Sequence, residues 1–219
     1  MELQEKLAPI KLHLGKDVMI WKLNQSGQFT TKSLYREMIF GGIKDIKLQD
    51  LWKSFIHLKI KIFMWLMLKG RIQAAKQLKK MNWSGSPLCK LCGVEEDADH
   101  IIFRCSPAQF LWCCYRDAFH WDLIPTSRND LLDLIQNQRG VRNRCLWYMF
   151  AAGAWAIWLV RNDWVFNDKL LNNVASLPHK ALSFLKQWGP LLPLQLRDEM
   201  EKARGSLLAS VRGTGGSSS

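Results

Sequence analysis

Apolar and polar positions alternate over Ile20-Trp21-Lys22-Leu23 and again over Gln28-Phe29-Thr30, on either side of the polar turn Asn24-Gln25-Ser26-Gly27. Two short alternating segments about a glycine-bearing turn predict a β-hairpin. Beyond it the spacing becomes helical. Thr30 or Thr31 can cap a helix with the stripe Leu34, Tyr35, Met38 and Ile39, and Gly41-Gly42 stop it. Two or three helices are expected from Gln49 to about Met81. Leu51, Trp52, Phe55 and Ile56 make one stripe. The dense apolar segment Ile60, Phe63, Met64, Leu66, Met67 and Leu68 makes another, interrupted by Gly70. Ile72, Ala75 and Leu78 share a face opposite Lys76, Lys79 and Lys80.

Residues 84–107 lack any such period and read as a turn-rich connector. Pro107 then opens a helix carrying Phe110, Leu111, Cys114 and Phe119, in the first-turn position that proline favours. Ser127-Arg128-Asn129-Asp130 has an N-capping pattern and opens another. Arg139 to Phe166 reads as one long helix, apolar almost all round in its middle and so buried on most faces. The last expected helix spans about Asn173 to Trp188 and is broken by Pro190 and Pro193. A charged segment and a disordered Gly/Ser tail, with Gly213 to Ser219 as its clearest part, are expected to follow. The fold class is therefore mainly α, a helical bundle with one short N-terminal β-hairpin. Neither internal repeats nor coiled-coil heptads are present.

Two segments bear on membranes. The N-terminus has no continuous apolar stretch of the kind a secretory signal needs, and it contains acids and no arginine, unlike a transit peptide. The longest uncharged apolar run, Cys145 to Val160, is sixteen residues between Arg144 and Arg161. A bilayer span needs about 20, so the run is read as a buried helix. An intracellular setting, nucleus or cytoplasm, is the expectation.

Charge changes the picture because it is local. The chain has 31 Lys plus Arg against 19 Asp plus Glu, a net +12. Residues 44–90 hold eleven of the cations and only two acids, Asp45 and Asp50, so nine of the twelve net charges lie there. Such a block attracts an anionic partner. Lys69, Arg71, Lys76, Lys79, Lys80 and Lys90 are the candidate phosphate contacts. Trp83, Phe103 or Trp52, where exposed, can stack on unpaired bases. The competing reading is a solvated helix face around a core. Of the eleven tryptophans, Trp21, Trp65, Trp112, Trp155 and Trp158 lie on apolar faces and are assigned to the core.

The six cysteines bring in chemistry. With nothing to indicate secretion, metal binding outranks disulfides. Cys89-x2-Cys92-x7-His100-x4-Cys105 offers three thiolates and an imidazole. That set closes a tetrahedral, structural zinc site with no position left for water, and thiolate-rich ligation favours zinc over hard cations. Gly93 suits the tight knuckle after the second ligand. A redox CxxC lacks the surrounding βαβ pattern it needs. Asp97 and Asp99 are read as outer supports or solvated acids rather than general bases. Cys113, Cys114 and Cys145 are read as core thiols. His13, His57, His120 and His179 fall into no nucleophile–base arrangement, so no enzyme activity and no small-molecule substrate are expected.

Read in order, these segments resemble a known family, the zinc-binding region downstream of the reverse transcriptase in plant non-LTR (LINE-type) retroelements. The resemblance is carried by Trp21 with Ser26-Gly27-Gln28-Phe29, then Ser33-Leu34-Tyr35, Leu51-Trp52 and Lys59-Ile60-Lys61-Ile62-Phe63-Met64-Trp65. It continues through Gly70-Arg71-Ile72, Leu78, Cys89-Lys90-Leu91-Cys92-Gly93, Glu95-Glu96, His100-Ile101-Ile102-Phe103, Cys105-Ser106 and Trp112. The later Trp155-Ala156-Ile157-Trp158-Leu159-Val160-Arg161-Asn162, with Val165-Phe166, resembles the tail of such polyproteins. One departure is Leu58, close to where the family usually has proline. No aromatic-led Asp-Asp pair and no spaced acidic set is present, so the resemblance implies a fragment without the polymerase. It divides the chain into a lead-in (1–16), a zinc-binding domain (17–112), a C-terminal helical region (113–204) and the tail (205–219). It also implies Zn2+ as cofactor and RNA or single-stranded DNA as partner. The alternative is a co-opted module that binds a host protein through exposed apolar helices. The Cys145–Val160 run is the candidate patch for that role, or more weakly for docking on a membrane.

Overall fold

The computed structural model describes residues 20–22, 26–30, 33, 46–171 and 173–214. The chain forms two units, Met1–Asp45 and Ile46–Ser219.

In the first unit the Trp21 N–H donates to the Gly27 carbonyl at 2.8 Å. The Trp21 and Phe29 rings meet edge to face with centroids 4.9 Å apart. The expected β-hairpin is not formed, because no strand occurs among the described residues. One cross-chain backbone bond closes a turn, whereas a ladder needs a repeating pair of them. Thr30 makes the side-chain bond expected of a cap. Its Oγ1 accepts from the Ser33 N–H at 3.0 Å, and the Ser33 Oγ accepts in return from the Thr30 N–H at 3.2 Å. The two side chains thus exchange bonds as a capping box does. The predicted stripe from Leu34 to Ile39, Gly41-Gly42 and the lead-in 1–16 lie outside the described residues.

The second unit is mainly helical. Its helices are α1 Ile46–Lys53, α2 Leu58–Leu68, α3 Ala75–Lys80, α4 Ser106–Phe119, α5 Arg128–Gln136, α6 Gly140–Asn167, α7 Ser176–Trp188 and α8 Leu194–Thr214. A π-helical turn, His100–Arg104, leads directly into α4. The expected starts are met: Pro107 sits in the first turn of α4, and the Ser127 hydroxyl caps α5 by accepting from the Asp130 N–H at 3.2 Å.

Helix α6 is the axis of the core. Trp147 through Ala152, Ala154, Ala156 and Ile157 are all buried. It packs on α2, α5, α7 and the π turn, while α8 lies along α4 and α7. The Cys145–Val160 run is therefore interior, and it is not the exposed interaction patch expected from its composition. Among the described residues no helix is long and apolar enough to cross a membrane. At the α4–α6 crossing the Phe150 ring stacks on Trp112 with centroids 4.6 Å apart and planes 7° from parallel, and the Phe103 ring packs against both, 5.8 Å from Phe150 and 6.5 Å from Trp112. Gly153 makes this approach possible, since a Cβ there would stand 2.9 Å from the Trp112 ring. Two polar atoms are satisfied on the way: Trp112 Nε1 donates to the Ile102 carbonyl at 2.6 Å, and the Tyr115 hydroxyl to the Met149 carbonyl at 3.0 Å.

Two boundaries differ from the sequence reading. Position 112 falls inside α4, and residues on both sides of it build one core. The 205–219 segment is not a tail through Thr214. Helix α8 runs across Gly205, and Leu196, Met200, Leu207 and Val211 are buried at helical spacing. The Ser210 hydroxyl donates to the Cys114 carbonyl on α4 at 3.1 Å. Residues 215–219 lie outside the described set.

Candidate metal centre

The connector between α3 and α4 folds into a knuckle. An isolated antiparallel bridge joins Leu88 and Glu95. Inside it the Cys89 N–H donates to the Val94 carbonyl at 2.8 Å, and the Gly93 N–H to the Cys89 carbonyl at 2.9 Å. Gly93 has φ +71°, a left-handed backbone that glycine adopts without strain. The turn leaves the Leu91 N–H 3.4 Å from Cys89 Sγ, so the sulfur already has a backbone donor.

The second pair of donors comes from the π turn. In an α-helix, residues five apart point about 140° from each other. The wider π winding brings them back toward one side, and the Cys105 N–H closes onto the His100 carbonyl at 2.8 Å. Asp97 fixes the start of the turn: its Oδ1 accepts from the His100 N–H at 2.7 Å and from Arg104 at 2.8 Å. Burial works against the Asp97 carboxylate, yet these two donors hold it below the usual carboxylate value. Asp99 makes an ion pair of 2.9 Å with Arg128 at the start of α5. Both acids thus hold the site in place from outside, as expected.

Cys89, Cys92, His100 and Cys105 converge, with their donor atoms all within 4.8 Å of one another. Cys89 Sγ and Cys105 Sγ are 3.8 Å apart, and Cys92 Sγ is 3.3 Å from His100 Nε2. A tetrahedral zinc with Zn–S bonds near 2.3 Å places its sulfurs about 3.8 Å from each other, so the spacing fits that ion. All six cysteines are free thiols. Burial pushes the Cys89 thiol up, and it pushes Cys105 up strongly with Cys89 as its next opponent. Burial also lowers the His100 imidazole, which keeps it neutral and able to bind a metal. Crowded buried thiolates are unfavourable alone, and a dication reverses that balance.

Sequence reasoning missed what joins this site to the core. Glu96 is 2% exposed and Arg161 of α6 is 8% exposed. The Arg161 guanidinium donates to both carboxylate oxygens, with Nε 3.2 Å from Oε2. Glu96 Oε1 also accepts from the Ala75 N–H at 2.9 Å, and the Glu96 carbonyl from the Lys76 N–H at 3.0 Å. One glutamate therefore ties the knuckle to α6 and caps α3. The usable signal was an acid inside the ligand spacing and an arginine ending the long apolar run.

The predicted phosphate contacts divide into two groups. Lys69, Arg71, Lys76, Lys79, Lys80 and Lys90 are all exposed. Lys76 is paired with Glu95 at 2.8 Å. Lys90 is paired with Asp168 at 3.0 Å and donates to the Val165 carbonyl at 3.1 Å, so it caps the end of α6. Among the described residues no carboxylate pairs with Arg71, Lys79 or Lys80. Of the three aromatic candidates, Phe103 is fully buried and stacked on Phe150 and Trp112, which removes it as a base-stacking group. Trp83 is half-buried, with its ring over Gly85. Trp52 is exposed.

Residues 29–112 match the family described as zinc-binding in reverse transcriptase. An Arabidopsis thaliana protein provisionally named as a ribonuclease H protein is 25% identical over 190 residues, covering 80% of this chain and 28% of that protein. The chain thus spans little more than a quarter of that relative's length. No solved structure matches. The matched segment contains all four converging donors, so the likeness to a zinc-binding family and the geometry of the cluster agree on zinc as the cofactor.

Proposed function

We propose that this chain is a non-catalytic, retroelement-derived module in which Cys89, Cys92, His100 and Cys105 hold a structural zinc, and that it binds RNA or single-stranded DNA through a basic surface within residues 44–90. The observation that carries the nucleic-acid reading is the uninterrupted cationic stretch. No Asp or Glu occurs between Leu51 and Val94, and Arg71, Lys79 and Lys80 are exposed within it. Phosphate neutralisation by such groups gives affinity that falls steeply with salt. The non-catalytic reading is supported by the donor set, which fills a tetrahedron and leaves no open position for water. The activity in the Arabidopsis relative's name belongs to a much longer protein, of which this chain spans 28%. An intracellular setting agrees with the free thiols.

The test is a titration with a fluorescent single-stranded RNA at several salt concentrations. Changing Arg71, Lys79 and Lys80 together to Glu should weaken binding by at least tenfold and flatten the salt slope by about 3. Binding that is unaffected by the triple change, or absent at low salt, leaves a host-protein partner as the standing alternative.

A further inference from the structure

The junction of α1 and α2 exposes large apolar groups that the fold had the means to bury. Trp52 is 44% exposed, Phe55 43%, Leu58 67% and Ile62 44%. Leu58 and Ile62 stand one turn apart on the same face of α2. Their neighbours Leu51, Ile56 and Ile60 are buried, so the segment is anchored and the exposed set faces away from the core.

The backbone under the two rings is fixed at both. Lys61 Nζ donates to the Trp52 carbonyl at 2.8 Å. The Tyr148 hydroxyl, on α6, shares its proton between the Phe55 carbonyl at 3.2 Å and the Trp188 carbonyl at 3.1 Å. Between them Ser54 is buried, and its hydroxyl donates to the Leu51 carbonyl at 2.5 Å. Three side-chain bonds thus hold four residues of a short connection while its aromatic rings stay in solvent. Rings presented this way lose little further freedom when something stacks on them.

The surroundings specify what that is. Lys53 and Lys59 flank the patch and are exposed, and among the described residues no carboxylate pairs with either. The Lys59 ammonium lies 5.3 Å over the Trp155 ring. A patch of aromatic and aliphatic surface edged by unpaired ammonium groups, in a stretch without acids, complements a chain that alternates flat apolar faces with phosphates. In single-stranded nucleic acid the bases are free to stack on such rings, whereas a duplex hides them. We propose that Trp52, Phe55, Leu58 and Ile62 form a stacking platform for unpaired bases, with Lys53 and Lys59 contacting the adjoining phosphates. This inference rests on the nucleic-acid reading above and adds to it the surface that would take the unpaired bases.

The experiment uses the full zinc-loaded chain, a twelve-nucleotide oligo(dT), oligo(U) and a duplex of the same length. Trp52→Ala with Phe55→Ala should weaken single-strand binding by about 25-fold or more, from roughly fivefold or more per lost stack. It should leave duplex binding and the salt slope unchanged, because no phosphate contact is removed. Trp52→Phe should retain most of the affinity. The two residues are 44% and 43% exposed, so a thermal melt of each variant, with Trp52→Phe as the more nearly volume-conserving control, separates lost stacking from lost packing. Single-strand affinity equal to the parent's in the double variant overturns the platform while leaving the basic surface standing. A parent that binds duplex as tightly as single strand overturns it as well. No binding of any probe by the parent at low salt removes the nucleic-acid reading and the platform with it.

Discussion

Two regions of this molecule rest against the same helix and are held there by opposite means. At the α4–α6 crossing, Phe103, Phe150 and Trp112 stack in the fully buried interior, and the fit depends on Gly153 lacking a side chain. At the knuckle there is little apolar surface to bury, and Leu88, Leu91 and Val94 remain exposed. Its shape comes from four convergent donors and from one buried carboxylate that meets Arg161 of α6. The first region is stabilised by area removed from water, a diffuse term that tolerates local damage. The second concentrates its stability in a few polar groups, where losing one partner exposes the desolvation cost of the other.

The largest break in that comparison is removal of the metal. Chelation, or Cys105→Ser, should cost on the order of 5 kcal/mol or more, a large share of the total stability of a domain this size. Thermal melts with and without chelator, alongside a zinc count per chain, check this. A stoichiometric loss of zinc with an unchanged melt would show that the knuckle is decoration on a self-sufficient helical core.

Next is the buried pair. Glu96→Ala leaves the Arg161 charge without its partner, and should cost about 3–5 kcal/mol. The double change Glu96→Gln with Arg161→Met should recover most of that, because the penalty lies in the unpaired charge. Denaturant unfolding of the two variants separates these outcomes. A double variant no better than Glu96→Ala would mean that the Glu96 bond to the Ala75 N–H matters more than the ion pair.

Gly153→Ala probes the apolar region. Helix propensity favours alanine by about 1 kcal/mol, while overpacking typically costs about 1–3 kcal/mol. The Trp112 ring is fixed by its stack and by its bond to Ile102, so overpacking should win by roughly 1 kcal/mol. A stabilised variant in the same unfolding assay would show that the seam can open. An effect of similar size belongs to neither region. Ser127→Ala removes the cap of α5 and should cost about 1 kcal/mol, a benchmark against which the knuckle variants can be read in the same melts.

How much of this was legible in the sequence follows the same division. Pro107, the Ser127 cap and the long run after Arg144 marked α4, α5 and α6, because each signal is local to the helix it sets. The four zinc donors were legible because knuckle geometry constrains their spacing. Helix α8 was hidden by its charges and by Gly205, although Leu196, Met200, Leu207 and Val211 keep helical spacing. The hairpin reading of residues 20–30 overvalued alternation, since the Trp21–Phe29 contact and one backbone bond satisfy the same pattern with a turn. Neither the partnership of Glu96 with Arg161 nor the diversion of Lys76 and Lys90 into ion pairs leaves a periodic trace. Contacts across 65 and 78 positions are set by how helices pack, not by neighbouring residues.

Helix α3 has only six residues, too few to persist unaided in water. Its first turn is held by the Glu96 carboxylate and carbonyl, which belong to the metal loop. Lys79 and Lys80 therefore occupy a defined place only while that loop is folded. Thermodynamic reciprocity then makes the metal and any polyanion on these lysines mutual effectors. Whatever factor zinc adds to the affinity for such a polyanion, the polyanion must return to the affinity for zinc.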